Sequence, residues 1–276
     1  MHSFNFKTKK QSYPVKVRIN EPSDSQNNNL NITLVLMTAI GVPLRKYRTF
    51  IDALTQKGFT VVSADYPCCG ENRPHIKRGV DYGYRDLVVS FIPKLIDVAK
   101  QTTPDNQIIL FGHSLGAHIA SLYCATTDFA MVGVATGNIH YKNWKGFGKI
   151  KILAAIVTFE LLIRVYGYLP GYKVGFGHRE AKTLMKDWLH TAKTGRYDFM
   201  RKSLNTGLGR GLFINIVGDD FAPYKSTKRL SKLCADSQLN KVKIDPSLKG
   251  NPHSAWLKSP NEIIDEVYKN LDFFVD

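Results

Sequence analysis

Residues Gln107 to Thr127 read QIILFGHSLGAHIASLYCATT, and the fold turns on this stretch. Ile108, Ile109, Leu110 and Phe111 form a short, continuous apolar run, the pattern of a central strand covered on both faces. After Gly116 the residues are good helix formers, with Leu115, Ile119, Leu122 and Tyr123 at helical spacing. Ser114 is thereby predicted to sit on a sharp strand-to-helix turn. Gly112 and Gly116 are required there, because a Cβ at either place would collide with neighbouring backbone. The turn leaves the hydroxyl projecting above the sheet, as a nucleophile is presented. The unpaired N–H groups of the helix start favour developing negative charge, which makes the Leu115 N–H one candidate oxyanion donor. The three fixed residues of G-x-S-x-G are a weak signal alone; the strand before and the helix after make it specific.

The elements on either side fit an alternating α/β pattern. Ser3 to Lys10 and Tyr13 to Asn20 alternate apolar and polar residues, predicting an antiparallel strand pair with one wet face. Asp24 to Asn31 reads as a polar turn. Buried strands are expected at Ile32–Met37 and Phe59–Ala64, with a helix between them marked by Leu44, Tyr47, Phe50, Ile51 and Leu54 and closed by Gly58. A second helix runs from Tyr84 to Ala99, with Pro93 predicting a kink or break. Further strands are expected at Met131–Ala135, Ile214–Val217 and Leu239–Ile244, and a closing helix at Asn261–Phe274. Such alternation implies a mostly parallel sheet with helices on both faces, mixed by its antiparallel start.

Between Gly137 and Gly211 the alternation stops, for longer than a plain loop in a compact domain. Residues 137–205 are read as a mostly helical cap inserted into a core of residues 1–136 and 206–276, over the carboxyl ends of the strands where such sheets bind ligands.

The chain has 276 residues and a net charge of +15. That excess points to an anionic partner: nucleic acid, a membrane surface or an acidic substrate. It is concentrated in residues 137–205, which hold thirteen Lys and Arg against four Asp and Glu. Lys142, Lys145, Lys149 and Lys151 precede the longest apolar region, Ile152 to Leu169, so contact with an anionic membrane surface is expected. Glu160 and Arg164 interrupt that region and argue against a spanning helix. No nucleic-acid module or aromatic-basic repeat accompanies the charge. Cys68, Cys69, Cys124 and Cys234 lack the spacing of a disulfide framework or zinc site, which with the absence of a signal-peptide pattern in Met1–Lys10 predicts a reducing, cytoplasmic setting. No metal or cofactor is expected.

A serine becomes nucleophilic only when a base takes its proton and a third group holds the base. For a nucleophile on this kind of turn the partners follow in the order serine, acid, histidine. Val217-Gly218-Asp219-Asp220-Phe221-Ala222-Pro223 ends a strand and offers the acid; spacing to Pro223 favours Asp219, and alignment of the pair allows Asp220. The base is His253, which alone among eight histidines lies between the last strand and the closing helix. His113 and His118 are too local to reach over the serine oxygen and read as packing residues, whereas His140 and His178 lie in the insertion. A second oxyanion donor should come from Thr38-Ala39-Ile40-Gly41, at the N–H of Ala39 or Ile40.

With these residues in view the chain resembles the α/β-hydrolase superfamily, and within it hydrolases related to serine aminopeptidases and monoacylglycerol lipases. The likeness lies in Ala39-Ile40-Gly41-Val42-Pro43 followed by Tyr47, Gly58-Phe59 leading to Asp65-Tyr66, the Gly112–Gly116 elbow, Gly167-Tyr168-Leu169-Pro170-Gly171 through Trp188 to Arg196-Tyr197, and Asp219-Asp220. The resemblance implies an eight-stranded mixed sheet, Ser114 as nucleophile, His253 as general base and acid, and an aspartate of the pair as its orienter. It departs after Asp65, where Pro67-Cys68-Cys69-Gly70 replaces the usual Gly-x-Gly-x-Ser, and at Ala117, where a second glycine is usual. Hydrolysis of a small acyl ester or lipid-like substrate is the expectation, with an acyltransferase or a silent binding protein as alternatives on the same residues.

Overall fold

The computed structural model describes residues 2–22, 29–204 and 206–274. The centre of the molecule is β3 (Ile32–Met37), all six residues of which are buried. Side chains alternate across a strand, so Leu34 and Leu36 enter one core while Val35 and Met37 enter the other. Both faces must therefore be covered, and they are.

Eight strands form one sheet in the order β1-β2-β4-β3-β5-β6-β7-β8. β1 (His2–Lys7) and β2 (Ser12–Asn20) pair antiparallel, with β2 antiparallel to β4 (Thr60–Ser63). From β4 onward every pairing is parallel, through β5 (Gln107–His113), β6 (Ala130–Val134), β7 (Arg210–Ile216) and β8 (Asp236–Val242). On one face lie α1 (Arg48–Gln56) and α9 (Asn261–Lys269), whose Phe50 and Ile263 pack with Phe111 and Trp256. On the other lie α3 (Ile92–Thr102) and α4 (Leu115–Cys124). α7 (Tyr224–Ser231) packs beside β7 and β8, and α8 (Pro252–Ala255) is a single turn before α9.

The break expected at Pro93 takes a specific form. A three-residue α2 (Tyr84–Asp86) passes into a π turn over Leu87–Phe91 before α3 begins. Proline supplies no N–H to the carbonyl four residues back, and the wider ladder absorbs the missing bond. β8 begins and ends earlier than the apolar run Leu239–Ile244 suggested. It is the edge strand, with mostly half-exposed or exposed residues, so its pattern is weak. Residues 24–28 of the expected polar turn lie outside the described residues.

Between β6 and β7 the chain forms α5 (Gly146–Tyr166) and α6 (Lys182–Thr194), with one short 3-10 turn, Gly171–Lys173, between them. Phe159 of α5 meets Trp188 of α6 and Phe176 between them, at ring separations of 5.6 and 4.8 Å. The segment leaves and re-enters the core at one place: the Asn138 side-chain amide donates to the Gly195 carbonyl and the Tyr197 hydroxyl, each at 3.0 Å. Among the described residues no helix is long and apolar enough to cross a membrane.

Candidate active site

β5 ends at His113 and α4 begins at Leu115, so the backbone must reverse its geometry within Ser114. Ser114 has φ 53° and ψ −111°, a conformation costing a non-glycine residue about 1–3 kcal/mol. Hydrogen bonds hold it there: the Ser114 N–H donates to Val134 of β6 at 3.0 Å, and its carbonyl accepts from the Thr136 hydroxyl and the His118 N–H, both at 3.0 Å. A Cβ on Gly112 would lie 2.2 Å from the Ala117 nitrogen, and one on Gly116 would lie 2.1 Å from the Met37 carbonyl oxygen. Both glycines are there because the backbones touch.

The partners arrive from the far side of the sheet. β7 ends at Ile216, Gly218 turns at φ +85°, and Asp219 is buried while Asp220 is exposed. Asp219 Oδ1 accepts the N–H groups of Phe221 at 2.8 Å and Ala222 at 3.2 Å. Its Oδ2 lies 2.8 Å from His253 Nδ1. Asn251 caps α8 by accepting the His253 N–H at 2.9 Å, which fixes the backbone carrying the imidazole. His253 Nε2 is then 3.0 Å from Ser114 Oγ. Because the carboxylate accepts, Nδ1 carries the proton and Nε2 is left to take the serine's. Phe221, 60% exposed, stands edge-on to His253 at 5.4 Å and forms an apolar lip.

Three of the residues singled out in the sequence are thus brought together: Ser114, His253 and Asp219. Asp220 is not. Its carbonyl accepts from the Trp144 indole at 2.8 Å, turning the residue toward the segment before α5.

The oxyanion turn also divides the sequence candidates. The Ala39 N–H donates to the Tyr47 hydroxyl at 2.7 Å and is therefore occupied, which removes Ala39 as a donor to substrate. Among the described residues the N–H groups of Ile40 and Leu115 have no such acceptor. The Gly116 N–H donates to Thr38 at 3.1 Å, so the turn after β3 and the start of α4 are clamped side by side.

Sequence reading treated His113 as a packing residue and Tyr47 as a helix marker and part of the family likeness, and here the two form a chain. Burial, and then the nearby His253, hold His113 well below the usual imidazole range, so it is neutral. Its Nε2–H donates to the His253 carbonyl at 2.8 Å, which leaves Nδ1 to accept from Tyr47 at 2.7 Å. The adjacency of a histidine to the nucleophile was visible; its partners, 66 and 140 residues away, were not. His118 lies between the hydroxyls of Tyr84 and Tyr197, at 3.2 and 2.8 Å, and burial lowers its pKa to about 3. His140 is buried and accepts from Arg229 at 2.7 Å, while His178 is exposed. Burial pushes the Cys68 thiol up to about 12, the state of an unreactive loop residue. Among the described residues no group of three His, Cys, Asp or Glu side chains could hold a metal ion.

A parallel-dominated eight-stranded sheet with the serine on a strand-to-helix turn after its fifth strand is the α/β-hydrolase fold. A family model described as the alpha/beta hydrolase fold matches residues 33–142. Among solved structures the chain is similar to a soluble variant of monoglyceride lipase from Saccharomyces cerevisiae in complex with a substrate analog, with TM-score 0.69 and 15% identity over 100% of this chain and 95% of that one. It is similar to Est1E from Butyrivibrio proteoclasticus with ferulic acid bound, with TM-score 0.62 and 14% identity over 97% and 98% of the two chains. The monoacylglycerol lipase of Paleococcus ferrophilus gives TM-score 0.57 and 16% identity over 92% and 98%. No curated protein matches by sequence.

Proposed function

We propose that the protein is a serine hydrolase of carboxylic esters that works through an acyl-enzyme. The observation that carries this reading is the 3.0 Å approach of His253 Nε2 to Ser114 Oγ, on a ring already held by Asp219. Ser114 attacks the ester carbonyl as His253 takes its proton. The same imidazole then protonates the leaving alcohol, and water, deprotonated in turn, releases the acid. Asp219 fixes the ring's tautomer and stabilises the imidazolium.

Charge on the carbonyl oxygen is met by the N–H groups of Leu115 and Ile40. Removal of one such donor typically costs ~3 kcal/mol of barrier. Residues 137–205 serve as the cap, and Phe221 offers apolar contact beside the base, in keeping with a small acyl-ester or lipid-like substrate. The substrate analog and ferulic acid held by two similar structures are consistent with that class.

Labelling with a fluorophosphonate probe tests the reading, followed by hydrolysis of p-nitrophenyl esters of increasing chain length. Wild type is expected to label and turn over, and Ser114→Ala and His253→Ala to do neither. Absence of labelling in folded wild type would sink it.

A further inference from the structure

We propose that the outer face of α5, together with the groove between α5 and α6, docks on an anionic bilayer surface. α5 carries two apolar faces. The inner one, Ile156, Phe159 and Ile163, is buried beneath the helix. The outer one, Phe147, Ile150, Val157, Leu161 and Val165, is between 57% and 69% exposed. With exposed Ala154 these residues recur at intervals of three or four along the whole helix, so they form one continuous stripe. A stripe of that kind facing water marks an interaction surface rather than scattered surface hydrophobes.

The charges beside it say what covers it. Lys145, Lys149 and Lys151 flank its start and are exposed. Along its second half runs a groove of about 750 Å³ whose lining includes Arg164, Lys182, Lys186 and Lys193. Glu160 is the one carboxylate in that lining, and it already pairs with Lys193. Cations beside an apolar stripe match the layering of a bilayer surface, with headgroup phosphates above and acyl chains below. A second copy of the chain would bring a net charge of +15 against another +15. A nucleic acid would use the cations and leave the stripe wet. Arg164 and Glu160, both exposed on the helix, and the absence of any spanning helix among the described residues keep α5 in the plane of the surface.

The inference does not rest on the esterase reading, because binding is measured without turnover. The full chain is sedimented with vesicles of phosphatidylcholine alone and with vesicles containing about 30% phosphatidylglycerol, a cytoplasmic-leaflet-like negative surface. The anionic vesicles are expected to bind it at least about tenfold more strongly. Val157→Glu with Leu161→Glu, and separately Lys182→Glu with Lys186→Glu, should each weaken that binding about tenfold while thermal unfolding and probe labelling stay as in wild type. In the otherwise native chain, Phe147→Trp should add a blue-shifted emission on vesicle addition. Equal binding to both vesicle types, binding to neither, or variants that bind like wild type would overturn the proposal. So would an α5-dependent dimer in light scattering without vesicle binding.

Discussion

Tyr47 and His113 meet in a 2.7 Å hydrogen bond that links the oxyanion turn to the backbone of the catalytic-histidine candidate. Tyr47 accepts the Ala39 N–H and donates to His113, and His113 donates to the carbonyl of His253. Every donor and acceptor in this buried chain is spoken for. Tyr47→Phe leaves an N–H and a ring nitrogen without partners, and is expected to lower stability by about 1–3 kcal/mol in urea denaturation. Because the turn and the base both loosen, kcat for a soluble ester should fall by about tenfold or more with little change in KM.

The two adjacent aspartates should separate cleanly. Asp219→Asn reverses the ring's tautomer and is expected to reduce kcat by roughly four orders of magnitude. Asp220→Asn, whose side chain faces solvent, should change kcat by less than about twofold. Steady-state kinetics of the two variants decide the matter; equal losses would contradict the geometry.

Gly116→Ala would push a methyl group to within 2.1 Å of the Met37 carbonyl oxygen. No side chain can give way there, since the clash is with backbone on a buried strand. We expect a loss above about 3 kcal/mol, seen as insoluble expression or a collapsed urea midpoint.

One buried and one half-buried group give stability opposite pH dependences. His118 has its folded pKa lowered by burial to about 3 from 6.5, so the unfolded chain binds a proton that the folded chain refuses between those values. Stability is therefore lost as pH falls from about 6.5. In His118→Phe the slope of stability against pH in that window should be shallower by up to about 1.4 kcal/mol per pH unit. Asp187 has its folded pKa raised to about 7 from 3.8, chiefly by burial, so its contribution declines as pH rises between those values. Asp187→Asn, which can still accept the Tyr84 N–H, should flatten that decline. Urea denaturation from pH 4 to pH 8 reads both signs.

What was legible in the chain follows from how local each signal is. The elbow could be read because strand, turn and helix are contiguous, and His253 because one histidine stood in the right interval. The choice between Asp219 and Asp220 could not be made, since it depends on which carboxylate meets the Phe221 and Ala222 N–H groups. Ala39 and Ile40 were equally placed until Tyr47 claimed one N–H. β8 was displaced because its opening residues, Asp236, Ser237 and Gln238, carry no apolar pattern. In α5 the run of apolar residues concealed a helix with two apolar faces, and periodicity cannot report which of two such faces is covered.

Asn138, by bonding both Gly195 and Tyr197, brings the start and finish of a long excursion together as if at the neck of a bag. The chain between them adds no strand to the sheet and displaces none. Its length and composition can therefore change between descendants of one ancestor without re-registering the strands, since each doubling of such a loop costs only about 0.6 kcal/mol of closure entropy. In the hydrolase we propose, recognition of the substrate and cleavage of its ester bond would therefore be separately heritable.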